Sequence, residues 1–294
     1  MRILVTGAYG QLGSELVKQG NEKGFQVLET DRNELDITKQ DEVTSYINAH
    51  SPDVIINAAA YTAVDKAEQE SNLAFAINRD GPAYLSTECA RNNIPLLHVS
   101  TDYIFDGDKV KPYNEEDQPY PQSVYGQSKL EGEQAVKQVL NQYIIMRVAW
   151  VFAAVGNNFV RTMLRLGGER DELNVVSDQI GGPTWAGDIA SVLLSIVEQY
   201  QRGEEITWGT YNYCGKPETS WSGFANMIFK EAVTLGMLDK APMVHEISTS
   251  EYPTPAKRPQ NSVLNCQKIQ TNFGIEQSDW RTGIINVLKE WKQQ

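Results

Sequence analysis

"TGAYGQLGSEL", Thr6 to Leu16, decides the fold. The stretch follows an apolar run, "RILV", and opens a helical pattern, with Gly7, Gly10 and Gly13 at regular spacing. In such a turn one glycine permits the tight bend, another lets backbone approach a pyrophosphate, and a third lets helix and strand pack closely. Gln11 and Leu12 fall at the start of the helix, where free N–H groups and the helix dipole favour an anion. Asp31 ends the next apolar run, "FQVLETD", roughly 20 residues beyond the turn, where a ribose-binding acid is expected. A dinucleotide is therefore the leading ligand. Arg32 follows directly and can meet a 2′-phosphate, so the pair leaves NADH and NADPH both open.

Outward from this turn, apolar runs alternate with helical patterns. "DVIINAAA", "PLLHVSTD" and "YIIMRVAWVF" read as further strands buried on both faces; "KQDEVTSYINAH", "NLAFAINRDGPAYLSTECARNN" and "SKLEGEQAVKQVL" read as helices. Strict alternation predicts an α/β chain with a doubly wound parallel sheet of the Rossmann type. Asp36 and Ile37 in "ELDIT" border the same predicted pocket, and Ala58, Ala59 and Ala60 lie at a strand's C-terminal end, where ligands bind in open α/β sheets. Those small side chains leave room for a cofactor and equally suit tight packing. After Trp150 the alternation loosens. Residues 1–150 are expected to form the dinucleotide-binding domain, with segments near 172–202 returning to it, and 151–294 a smaller, partly interleaved, mainly substrate-binding domain.

A net charge of -12 argues against a broad nucleic-acid or anionic-membrane surface, so any anionic ligand is met by a few placed groups. No apolar run approaches the roughly 20 residues of a membrane span. "MRILVTG" reads as a first strand rather than a signal peptide. Cys89, Cys214 and Cys266 are far apart, with no metal-ligand or redox spacing, and suit a reducing cytoplasm.

"VYGQSK", Val124 to Lys129, sets Tyr125 and Lys129 four apart, on one helix face. "HVSTDYIFDG" puts Ser100, Thr101 and Asp102 at the end of the fourth strand, on the same sheet edge. A Thr hydroxyl, a Tyr phenol and a Lys ammonium suit proton delivery to a carbonyl oxygen that receives a hydride. In this reading Tyr125 is the acid, Thr101 polarises the carbonyl or orients the substrate, and Lys129 lowers the phenol's pKa and holds the nicotinamide ribose. The small spacer, Gly126 to Ser128, keeps the approach open.

"TGAYGQLG", "NAAAYTAVDKAE", "STDYIFDG", "VYGQSKLEGE", "RVAWVFA", "GNNFVRTML", "DQIGGPT" and "YPTPAKRPQNSVLN" together resemble the dTDP-4-dehydrorhamnose reductase family, within the extended short-chain dehydrogenases/reductases. The resemblance spans nearly the whole chain, and "TAVDKAE" and "PTPAKRPQNS" are far more specific than the Tyr–Lys pair. It implies reduction of the 4-keto group of dTDP-4-dehydro-β-L-rhamnose to dTDP-β-L-rhamnose by NADPH or NADH, in the making of a cell-surface polysaccharide precursor. Thr101, Tyr125 and Lys129 match the family's catalytic trio, and Asp102, Val64 and Trp150 match positions lining its sugar pocket. Trp150 equally suits a buried core aromatic. Arg258 in "KRPQNS" is the candidate for the diphosphate, which a guanidinium grips in bidentate fashion. Asn158 stands where it can cap its helix or touch substrate, and the cap is the favoured reading. Some members are described with a magnesium-bridged dimer using glutamates; Glu15 matches one such position, but Gly187 stands where those members have an acid. Asp188, one residue on, is turned by about 100° on a helix, so no metal is expected. The partners expected are a dTDP-sugar and, at most, a second copy of the chain, as a monomer or homodimer.

Two rival readings remain. A nucleotide-sugar dehydratase or epimerase of the same superfamily would need a further acid/base pair, and Tyr103 stands where the dehydratases have a glutamate. A non-catalytic, NADP-binding regulatory subunit would not require Thr101, Tyr125 and Lys129 together.

Overall fold

Neighbouring residues of the apolar runs face opposite ways, which is why those runs are hydrophobic throughout. In the computed structural model, which describes residues 1–293, β1 (Arg2–Thr6) turns Ile3 and Val5 to one face and Leu4 to the other. β3 (Val54–Asn57) repeats the pattern, with Val54 and Ile56 opposite Ile55. Together with β2 (Gln26–Thr30), β4 (Leu96–Thr101), β5 (Tyr143–Val148) and the strand Gly209–Tyr213, these form a six-stranded parallel sheet among the described residues. Its order is Gly209–Tyr213, β5, β4, β3, β1, β2. The chain leaves β1 toward β2 on one side and returns to β3 on the other, so a crevice opens at the C-terminal ends of β1 and β3.

Helix α1 (Gln11–Glu22) covers one face. On the other lie α2 (Gln40–His50), α5 (Gly81–Asn92) and α6 (Val124–Val139), and two short helices before α5, α3 (Val64–Ala67) and α4 (Ser71–Phe75), pack on α6. The segment read as one long helix, Asn72 to Asn93, is continuous but loosened into a π-helical turn at Ala76–Asp80.

The run "YIIMRVAWVF" is not one strand. Trp150 adopts a positive φ of 48°, rare for a bulky side chain, and breaks it into β5 and β6 (Val151–Phe152). Beyond it α7 (Phe159–Glu169), β7 (Glu172–Val176) and α9 (Trp221–Thr234) gather a second core with the terminal helix Trp280–Gln293. Between β7 and α9, α8 (Ala186–Gln201) crosses back and packs on α1, burying Ile189, Leu193 and Val197 with Leu12 and Leu16. The return to the first unit thus starts near Ala186 rather than 172, because β7 pairs with Met243–Ile247 and not with the large sheet. Trp150 packs against both cores.

Candidate active site

The glycine turn follows β1 directly into the crevice. Gly7 has φ +70°, a conformation that a side chain rarely adopts, and a Cβ there would stand 2.7 Å from the Ala59 Cα. A Cβ on Gly13 would stand 2.0 Å from the Gly7 carbonyl, so helix and turn meet only because Gly13 has none. Gly10 is the N-cap of α1 and no side chain caps that helix, so the N–H groups of Gln11 and Leu12 are left for a ligand. A cleft of about 420 Å³ runs along the crevice, lined by Gly7, Gly10, Asp31, Arg32, Asp36, Ile37, Ala58, Ala59 and Ala60. Tyr9, Leu35, Thr38, Leu73 and Ile77 also stand in the wall; nothing in a local pattern singles them out. The uncapped helix end, the close-approach glycines and the apolar walls fit a dinucleotide cofactor.

Five of the predicted cofactor residues, Gln11, Leu12, Gly13, Tyr125 and Lys129, do not line this cleft. The Leu12 side chain enters the core, Gly13 packs on the turn, and Gln11 Oε1 accepts from Asn158 Nδ2 at 3.0 Å. Asn158 also accepts from the Arg161 N–H at 3.1 Å and so caps α7. At the far end of the cleft Asp31 accepts from the Asn33 N–H at 2.7 Å, and Arg32 stands 3.5 Å from Asp36 with a largely exposed side chain.

Tyr125 and Lys129 stand on the buried face of α6, which Ser123 caps by accepting the Gly126 N–H at 3.1 Å. The spacer between them is packed, not open. A Cβ on Gly126 would stand 2.2 Å from the Tyr103 carbonyl, and Ser128 accepts from Asn78 Nδ2 at 3.0 Å. Asn78, in the π-helical turn, also bonds the backbone of Tyr61 in both directions. These contacts bind α6 to the loops after β3 and β4, and so set Tyr125 in a small core with Ala67 and Ala74, on which Val64 and Tyr103 pack, its ring meeting Tyr103 edge-on at 5.5 Å. Gly126, Ser128 and Asn78 are positioning residues that the motif alone does not disclose.

The charges here follow from burial. Lys129 is 2% exposed, and desolvation pushes its ammonium down to about 8 despite the opposing Glu133 carboxylate. Its Nζ donates to the Val99 carbonyl at 2.6 Å. Burial raises the Tyr125 phenol well above 10, with Asp102 and Tyr103 adding to the rise and the Thr101 hydroxyl pulling it partly back. The depression expected from Lys129 is therefore reversed in sign, because desolvation outweighs any charge aimed at the phenol. Such a phenol keeps its proton at neutral pH. Burial likewise lifts the Asp102 carboxyl to about 6; Thr101 Oγ1 donates to its Oδ1 at 3.0 Å, while its Oδ2 has no hydrogen-bond partner.

Beneath the pair, burial would raise the Glu133 carboxyl, but Arg147, gripping it at 2.8 and 3.0 Å, holds it down to about 2. Ser100 donates to the same carboxylate at 2.6 Å. This buried pair anchors α6 to β4 and β5.

Arg258 is reached from far along the chain. Its Nη2 donates to Asp65 at 2.7 Å and its Nη1 to the Tyr103 hydroxyl at 3.1 Å, so the guanidinium joins the Tyr125 cluster. It also borders a larger cavity of about 800 Å³, with Phe159, Gln179, Trp221 and Tyr252 in the wall. Trp150 stands behind that wall, stacked on Trp221 with ring centroids 3.5 Å apart, and Trp221 Nε1 donates to Gln179. Local pattern does not mark Asp65, Gln179 or Trp221, and marks Tyr103 only as the place of a missing glutamate; Asp65 lies inside "TAVDKAE", whose specificity is the available signal. Glu15 is buried between α1 and α8, and burial raises both its carboxyl and that of Asp188. No group of three or more His, Cys, Asp or Glu side chains converges among the described residues.

The model of the RmlD substrate binding domain matches residues 1–293. The chain belongs to that family. A dTDP-4-dehydrorhamnose reductase of Aggregatibacter actinomycetemcomitans is 50% identical over 97% of this chain and 98% of that protein. Among solved structures, a dTDP-4-dehydrorhamnose reductase from Clostridium acetobutylicum aligns at a TM-score of 0.92 with 40% identity, covering 99% of this chain and all of that one. Another, from Bacillus anthracis in complex with NADP, aligns at 0.91 with 36% identity, covering 98% and 99% of the two chains. Among the described residues no helix is long and apolar enough to cross a membrane.

Proposed function

We propose that this chain reduces the 4-keto group of dTDP-4-dehydro-β-L-rhamnose to dTDP-β-L-rhamnose with NADPH or NADH, in the synthesis of a cell-surface polysaccharide precursor. The large sheet, with α8 and Gly209–Tyr213 added to residues 1–150, binds the dinucleotide, and the second core carries most of the nucleotide-sugar site. The bound nicotinamide supplies the hydride. Gly7, Gly10 and the first turn of α1 hold the pyrophosphate; Asp31 and Arg32 meet the adenosine ribose; Ala58, Ala59 and Ala60 leave space beside it.

Tyr125 gives its proton to the carbonyl oxygen as that oxygen gains charge, and Thr101, turning its hydroxyl from Asp102, donates a second hydrogen bond to it. Lys129, charged below about pH 8, stabilises the phenolate left behind and holds the nicotinamide ribose. Val64, Asp102 and Trp150 shape the sugar pocket, and Arg258 turns from Asp65 to the diphosphate. The observation that carries this reading is the buried, proton-retaining Tyr125, with Thr101 beside it, at the edge of the sheet that also carries the glycine turn. The relatives' names and the NADP bound by the Bacillus anthracis protein support the substrate and the cofactor. The enzyme acts in the cytoplasm as a monomer or homodimer.

The test follows NADPH and NADH oxidation at 340 nm with dTDP-4-dehydrorhamnose generated in situ. Tyr125→Phe is expected to lose roughly a hundredfold to ten-thousandfold in kcat while still binding cofactor. Absence of wild-type turnover with either cofactor would sink the substrate assignment.

A further inference from the structure

Two cysteines with no part in the reduction meet in the fold. Cys214 follows the strand Gly209–Tyr213, and Cys266 precedes the helix Gln267–Phe273, 52 residues later. Their sulfurs stand 4.0 Å apart. Both thiols face one acceptor, the Leu264 carbonyl, at 3.5 and 3.6 Å, and the Cys214 N–H donates to Cys266 Sγ at 3.3 Å. The shared acceptor holds the two side chains toward each other. Both are almost fully buried, yet both line a cavity of about 510 Å³, with Lys216, Glu218 and Gln277, apart from the cleft and cavity described above.

We propose that Cys214 and Cys266 form a dithiol that hydrogen peroxide, entering this cavity, oxidises to an intramolecular disulfide. Cys214 sulfur attacks one peroxide oxygen, the O–O bond breaks, and sulfenic acid forms with release of water. Cys266 sulfur then attacks Cys214 sulfur, the S–O bond breaks, and a second water leaves. Two thiols lose two electrons and two protons in all, and one peroxide is reduced to two waters. A disulfide has its sulfurs about 2.05 Å apart, so roughly 2 Å of approach is required. Either sulfur can donate the hydrogen bond between them; donated by Cys266, it would lower the Cys214 thiol against its burial and raise Cys266, the direction in which Cys214 attacks first. The bond would tie the edge of the large sheet to the segment running back to Arg258.

Cys89 is the internal control, since it is buried in α5 within a different core and burial raises its thiol. The full chain is treated with hydrogen peroxide, quenched, and examined by intact mass, non-reducing peptide mapping and thiol titration after denaturation. The expected result is a loss of two hydrogens, a linked Cys214–Cys266 peptide reversed by dithiothreitol, and a fall from three titratable thiols to one. Cys214→Ser and Cys266→Ser each abolish the linkage. Three surviving thiols, over-oxidation without a linked peptide, or a bridge between chains would overturn the proposal. Should a variant fail to fold, the wild-type map and thiol count decide alone.

Discussion

The cleft at the ends of β1 and β3 and the cavity beside Trp221 are assembled differently. In the cleft, each short segment places its residues by local rules: a strand ends, a glycine turns, a helix begins, and an acid follows the next strand. In the cavity the contacts are long-range. Arg258 meets Asp65 across 193 residues and Tyr103 across 155, and Gln179 meets Thr249 across 70. The first kind of site survives as a pattern in the sequence; the second depends on docking of two cores, with Trp150 packed between them.

The sharpest way to break this contrast is Gly13→Val. Its side chain has no space above the Gly7 carbonyl, so stability should fall by about 3 kcal/mol and NADPH affinity by a hundredfold or more, read by thermal melting and by nucleotide fluorescence titration. Preserved NADPH affinity would show that the cleft does not depend on the turn. Arg258→Gln tests the other region: substrate KM should rise about tenfold to a hundredfold with the NADPH Kd unchanged. A change in NADPH Kd would mean the two regions are not separable.

pH reports on the residue between them. Lys129 is charged below about 8, so activity should decline above that value, about tenfold per unit, and Lys129→Arg should move the decline upward. Unfolding cannot mimic this through Lys129. The folded lysine gives up its proton at about 8 and the unfolded one near 10.5, so its contribution to stability rises with pH between the two. The smallest effect is expected from Arg32→Ala, about threefold lower preference for NADPH over NADH, because that side chain is largely exposed and already near Asp36.

The legible parts were those whose meaning is local. The turn at Gly7, the alternation of strands and helices, and the positions of Thr101 and Lys129 at one edge all follow from spacing and periodicity. "YIIMRVAWVF" shows where that fails: period-based reading cannot see the positive φ at Trp150 that ends β5. The sign of the Tyr125 shift was also hidden, since residue spacing brings Lys129 near but says nothing about how much water is removed from the phenol.

By itself, then, the sequence determined a doubly wound sheet, a glycine turn at a helix N-terminus and a Tyr–Lys helix, because backbone geometry and the two faces of each strand act over a few residues. Only the tertiary structure decided that Gly126 and Ser128 lock that helix in place, that Arg258 reaches Tyr103, and that Cys214 and Cys266 face each other. Burial and long-range contact belong to the packed chain, where desolvation sets the charges and distant segments become neighbours.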